Sequence, residues 1–256
     1  HGTAAQAETR GRMRLSGRSA LLQSAVCLLL LALSLFLESG TNLDMLLQRR
    51  WFDAAAGAWL IDPAAHQVLR VFFYDGMKRA VACIGLGCAA LFLWGYASGR
   101  SAWMRAGLLM ALSCAATPLL VAALKAFTGI HCPRELIEFG GAFPCRHFFP
   151  LGAGTSGGRC FPGGHASGGF ALTMVFFCVS GGRKRAAALL AALAAGWVMG
   201  LYQMLRGEHF LSHTVVSMLL AWQMNIGLVL LTDRLLMPAL ERRRARRAGG
   251  PEAPPS

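Results

Sequence analysis

Leu21-Leu22-Gln23-Ser24-Ala25-Val26-Cys27-Leu28-Leu29-Leu30-Leu31-Ala32-Leu33-Ser34-Leu35-Phe36-Leu37 is an uninterrupted apolar run with no charged residue. A helix that crosses a bilayer needs about 20 mostly apolar residues, and this stretch with its flanks supplies them. Five further runs have the same character, so the candidate spans are 19–37, 79–98, 104–125, 165–181, 186–205 and 214–236. In lipid every backbone polar group needs an internal partner, so the spans are expected to be helices. The fifth run, rich in Ala and Gly, suits either a lipid-facing or a buried helix. The chain of 256 residues is 55% hydrophobic and 14% charged, a balance that excludes an ordinary soluble domain. The expected fold is an all-α integral membrane protein of six transmembrane helices, with an amphipathic segment between helices 1 and 2.

The first run follows a basic stretch (Arg10, Arg12, Arg14, Arg18), as a secretory leader would. Its apolar core is longer than a leader's and no Ala-x-Ala site follows, so it reads as a retained span. The formal net charge of +13 reports topology rather than nucleic acid. Arg10–Arg18, Arg100 with Arg105, Arg183-Lys184-Arg185, and Arg242-Arg243-Arg244 with Arg246-Arg247 all fall on one side of a six-span chain. That side is expected to be cytoplasmic, with both termini inside and the loops 38–78, 126–164 and 206–213 outside. The domain organisation is then a basic N-terminal segment 1–18, a membrane domain 19–240, and a disordered basic tail 241–256. Within loop 38–78, Leu43-Asp44-Met45-Leu46-Leu47, Trp51-Phe52 and Trp59 suit either an interfacial helix or a structural cap.

Cys27, Cys83, Cys88, Cys114 and Cys178 lie in the runs and read as small apolar fillers. Cys132, Cys145 and Cys160 lie in an outer loop. They allow one disulfide, with Cys132 and Cys160 favoured because both adjoin the chemical motifs. Zinc with His131 and His147 is the rival, although the spacing matches no metal signature.

The chemistry gathers at one edge. Lys125 ends the third run, His165 opens the fourth in Phe161-Pro162-Gly163-Gly164-His165, and His209 follows the fifth in Arg206-Gly207-Glu208-His209. Alternating spans bring these ends to the same face. Two imidazoles with cations suit work on an anion, most simply a phosphate, and the membrane setting gives that phosphate to a lipid.

These residues resemble the type 2 phosphatidic acid phosphatase superfamily, the membrane lipid phosphatases related to vanadium haloperoxidases. Its first motif, Lys, six residues, Arg-Pro, reads here Lys125, six residues, Cys132-Pro133. Its second, Pro-Ser-Gly-His, reads Pro162-Gly163-Gly164-His165. Its third, Ser-Arg, five residues, His, three residues, Asp, reads Tyr202-Gln203, five residues, His209, three residues, His213. The spacing holds across roughly residues 80–235, while Cys132, Gly163, Gln203 and His213 replace the Arg, Ser, Arg and Asp. The chain is similar to a branch with His-Cys-Pro, Gly-Gly-His and Gly-x-His-Phe-Leu-Ser-His motifs.

The resemblance implies a two-step phosphoryl transfer. His209 is the expected nucleophile, forming a phosphohistidine, and His165 the acid that protonates the leaving alkoxide and then activates water. Lys125, Arg134 and Arg206 are expected to bind the phosphate with the amides of Gly163 and Gly164, the two arginines compensating for those lost. His213 stands where the family has the Asp that orients the nucleophile, and can do so only as a neutral acceptor. A structural role stays open for His213, Arg134 and Arg206. No metal and no cofactor is expected. The expected partners are a phosphorylated membrane lipid and the bilayer, with no nucleic acid. The expected location is a bacterial inner membrane, with the site facing the periplasm. The candidate substrates are lipid A or another phosphoglycolipid, weakly preferred, a polyprenyl pyrophosphate, or a phosphatidate-type lipid. The alternatives are a lipid phosphotransferase of the same fold and a non-catalytic lipid-binding or transport protein.

Overall fold

The structure, a computed structural model, describes residues 15–62, 64–148 and 157–247. The expected arginines at positions 10, 12 and 14 and the end of the expected tail, 248–256, lie outside the described residues. The first apolar run forms α1 (Gly17–Gly40), opened by Ser16, whose hydroxyl accepts from the Ser19 amide at 3.1 Å. This is an N-cap that satisfies one of the first-turn amides. A short helix α2 (Leu43–Trp51) and a two-residue hairpin, β1 (Phe52–Asp53) with β2 (Ala58–Trp59), follow. The next helices are α3 (Gln67–Ser98), α4 (Ser101–Thr128), α5 (Gly164–Phe177), α6 (Gly182–Leu205) and α7 (Leu211–Arg247).

Five of these, α1, α3, α4, α6 and α7, are long and apolar enough to cross a membrane. Their apolar surface faces outward: Leu21 is 73% and Phe36 70% exposed, the reverse of a soluble core and the norm where lipid is the solvent. The fourth predicted run is shorter than expected. It is α-helical for 8 residues (Gly164–Ala171) and then tightens to a 3₁₀ turn of 6 residues (Leu172–Phe177). Gly164, Gly168 and Gly169 weaken this helix, and the Thr173 hydroxyl bonds back to the Phe170 carbonyl at 2.7 Å.

α5 is the centre of the bundle, packed against α4, α6 and α7. Ala166, Phe170, Ala171 and Met174 are buried. The Ala-rich α6, by contrast, keeps an exposed face at Leu190, Val198 and Leu201. The approach of α5 to α6 depends on missing side chains, since a Cβ on Gly169 would lie 2.6 Å from the Gly196 Cα.

At the end away from His165, Arg105 of α4 clasps Asp233 of α7 through two bonds of 2.6 and 2.9 Å. Its third nitrogen donates to the Phe177 carbonyl at the end of α5, 2.9 Å away. Between the two ends, Ser113 donates to Asn225 at 2.6 Å and Asn225 donates to Thr173 at 3.0 Å. The tail departs from expectation: α7 runs on through Arg247, so 241–247 is helical rather than disordered. Leu, Glu, Arg and Ala are good helix formers and the helix is already nucleated.

Candidate active site

The end of α4, the start of α5, the end of α6 and the start of α7 meet at one end of the bundle. Lys125 sits one turn before the end of α4. Its ammonium lies against the first turn of α5, 3.2 Å from where a Cβ on Gly164 would stand, so even a methyl group there would press on it. His165 occupies the first turn of α5. Its ring packs against Tyr74 of α3 with centroids 4.0 Å apart and planes tilted by 31°, and its Nε2 is buried with no partner among the described residues.

Arg206 follows the last residue of α6 and is buried. Its guanidinium lies over the rings of Tyr74 and Tyr202, 5.4 and 5.2 Å from their centroids. Tyr74 therefore bridges the expected acid and an expected phosphate-binding cation, in a π-helical turn (Arg70–Gly76) of the kind found at functional sites. Sequence reasoning missed it, because one Tyr ahead of an apolar run carries no pattern.

His209 lies in the tight turn between α6 and α7. Gly207 makes the turn with φ +69°, and a Cβ there would lie 2.2 Å from the Trp59 indole. Glycine fits on both counts. The His209 ring is buried and its Nδ1 lies 3.3 Å from the Cys160 Sγ, which leaves Nε2 as the second nitrogen. Burial holds its pKa well below the usual imidazole value, and the charge of Lys125, then His213 and His165, pushes the same way. The imidazole is therefore neutral at physiological pH, the form in which it can attack an electrophile.

Cys160 is joined to Cys132 by a disulfide, which ties the loop after α4 to the loop before α5. Cys132, Cys160 and His209 bring ligand-type atoms within 4.8 Å of one another. The two sulfurs share a bond and offer no thiolate, so this cluster does not suit zinc. His131 and His147 are occupied elsewhere: His131 faces Glu135 at 2.9 Å and stacks on Phe143, and His147 faces Glu38 at 3.3 Å. Cys145 is free.

Three expectations need restating from the geometry. The Gly163 amide donates to the His213 carbonyl at 3.1 Å and is not available to a phosphate. As N-cap of α5 it faces back to α7, and the first-turn amides of Gly164 and His165 form the free helix end. Arg134 is exposed and bonded to Glu208 at 2.6 Å, so its guanidinium is engaged by a carboxylate. His213 is buried, its ring 5.7 Å from that of His209, with a backbone hydrogen bond to Cys160. Among the described residues no hydrogen bond joins the two rings.

A family model described as the PAP2 superfamily matches residues 106–236, which span most of α4, α5, α6 and most of α7. Neither the curated proteins nor the solved structures give a match.

Proposed function

Since the chain belongs to the PAP2 superfamily, we propose that it hydrolyses the phosphate ester or pyrophosphate of a membrane lipid through a phosphohistidine. The observation that carries this reading is the meeting of a neutral buried His209, His165 with an unpartnered nitrogen, Lys125 and Arg206 at one end of a membrane bundle.

His209 attacks phosphorus with Nε2. The new N–P bond forms as the P–O bond to the lipid breaks, and His165, which takes up a proton as the phosphate anion binds beside it, gives that proton to the leaving alkoxide. Neutral His165 then takes a proton from water, whose oxygen attacks phosphorus and releases inorganic phosphate and His209. Attack through Nε2 requires the proton on Nδ1, and Cys160 Sγ is the atom that faces it, a weak acceptor in the place the family gives to a carboxylate. Lys125 and Arg206 offset the charge on the equatorial oxygens with the first amides of α5. Arg134 joins them when Glu208 yields to the phosphate.

Arg100 between α3 and α4, Arg183 and Arg185 at the start of α6, and Arg244, Arg246 and Arg247 at the end of α7 lie at the opposite end of the bundle, which supports a cytoplasmic position for that end and an outward-facing site. On this reading α5 is the sixth, shortened span. The location is the inner membrane of a bacterial cell, and a phosphoglycolipid such as lipid A is the preferred substrate. The test is phosphate release by the purified protein in detergent from lipid A, undecaprenyl pyrophosphate and phosphatidic acid, with product lipids followed. Free phosphate that disappears in His209→Ala and His165→Ala is the expected result. A second phosphorylated lipid in place of free phosphate would make the protein a phosphotransferase. No turnover of any of them would overturn the proposal.

A further inference from the structure

The segment from α2 through β2 lies before the family match and supplies none of the proposed catalytic or phosphate-binding side chains, yet it grips the loop that carries His209. Asp44 and Gln48 lie four apart on α2 and so share a face. Asp44 accepts from the Ser212 amide at 3.0 Å and from the Ser212 hydroxyl. Gln48 donates from Nε2 to the His209 carbonyl at 2.8 Å. One face of one helix thus holds the loop at the histidine itself and three residues beyond it.

Gln48 is fully buried, and its Oε1 has no partner among the described residues. A buried amide with one end unsatisfied is costly, and an apolar side chain of similar shape would fill the space without that cost. What the amide adds is a directed bond to the backbone of His209. We propose that Gln48 is a positioning residue for His209, fixing the height of its backbone so that the ring meets the phosphate held by Lys125 and Arg206. This rests on the reading of His209 as nucleophile.

A displacement of this kind lowers the chemical step and leaves ground-state binding alone. In Gln48→Met, kcat on phosphatidic acid in mixed micelles is expected to fall about tenfold or more with KM within about twofold of wild type. Amide hydrogen exchange across 206–213 is expected to rise, while exchange in α4 and α5 stays unchanged. Asp53→Asn, whose side chain caps only the hairpin amides of Ala55 and Ala56, should remain close to wild type in both readouts. If Gln48→Met does not fold, Gln48→Asn, one methylene short of the carbonyl, takes its place. Unchanged kcat and unchanged exchange would overturn the proposal, as would a rise in KM with kcat preserved. Failure of the wild type to hydrolyse any lipid would sink the phosphatase reading instead. The exchange comparison would still decide whether Gln48 holds the His209 loop.

Discussion

At the end of the bundle away from the histidines, Arg105 meets Asp233 with two nitrogens and the Phe177 carbonyl with the third. At the histidine end, His165 Nε2, Arg206 Nε, His213 Nδ1 and the Tyr202 hydroxyl are buried with no partner among the described residues. Buried polar groups are ordinarily paired because leaving one unpaired costs about 1–3 kcal/mol. The first cluster therefore works as a clasp for α4, α5 and α7. The second leaves these groups uncommitted, and on the proposed function they and Lys125 meet the substrate phosphate.

Substitutions at the two ends should fail in different ways. His209→Ala removes the nucleophile, and turnover should drop by about 10³-fold or more with the thermal unfolding midpoint unchanged. Appreciable residual phosphate release would break the assignment. Arg105→Met leaves the part-buried Asp233 without its partner, so it should destabilise by about 1–3 kcal/mol while folded molecules keep wild-type kcat. Denaturant unfolding alongside the activity assay separates the two effects.

Lys125→Met should lower kcat/KM by about 100-fold, as loss of one charge-stabilising donor does. It also sharpens the comparison through pH. The His209 pKa lies well below its usual value through burial first and Lys125 second. Because neutral imidazole is the active form, wild-type kcat should not fall as pH drops through 6.5, and its acid limb should lie lower. Without Lys125 the limb should move up toward 6.5, and a limb that stays in place would contradict that electrostatic link. For stability the sign is the same. The contribution of His209 is present above the unfolded histidine pKa and is lost as pH falls toward the folded one.

Opening the disulfide by Cys132→Ser leaves a thiol at Cys160 and frees the loop that places it. A fall in kcat of about tenfold with little change in KM is expected, the scale of a weakened orienting contact. The smallest effect belongs to Arg49→Ala. Its bond to Glu138 is exposed, so stability should change by less than about 1 kcal/mol, measurable in the same unfolding experiment.

The helices that build the frame were legible because lipid imposes length and apolarity on each of them, and Leu21–Leu37 alone announces the class. Lys125, His165 and His209 were legible because alternating spans carry their ends to one face. What was hidden is long-range or contextual. Nothing near Asp44 points to Ser212, which is 168 positions away. The commitment of the Gly163 amide to His213 depends on how α5 meets α7. The shortening of α5 shows only weakly in an apolar run, through its glycines.

That shortening sets a depth. With 8 residues rising about 1.5 Å each and 6 rising about 2.0 Å, α5 is roughly 24 Å long. It joins the Phe177 carbonyl, held by Arg105, to the first turn that carries His165. The hydrocarbon slab is about 30 Å thick. If the clasp marks one boundary of that slab, His165 lies below the level of the other. On the proposed function the ester bond must then sink to meet it, and a substrate that diffuses within the bilayer has a shorter path to that level than one arriving from water.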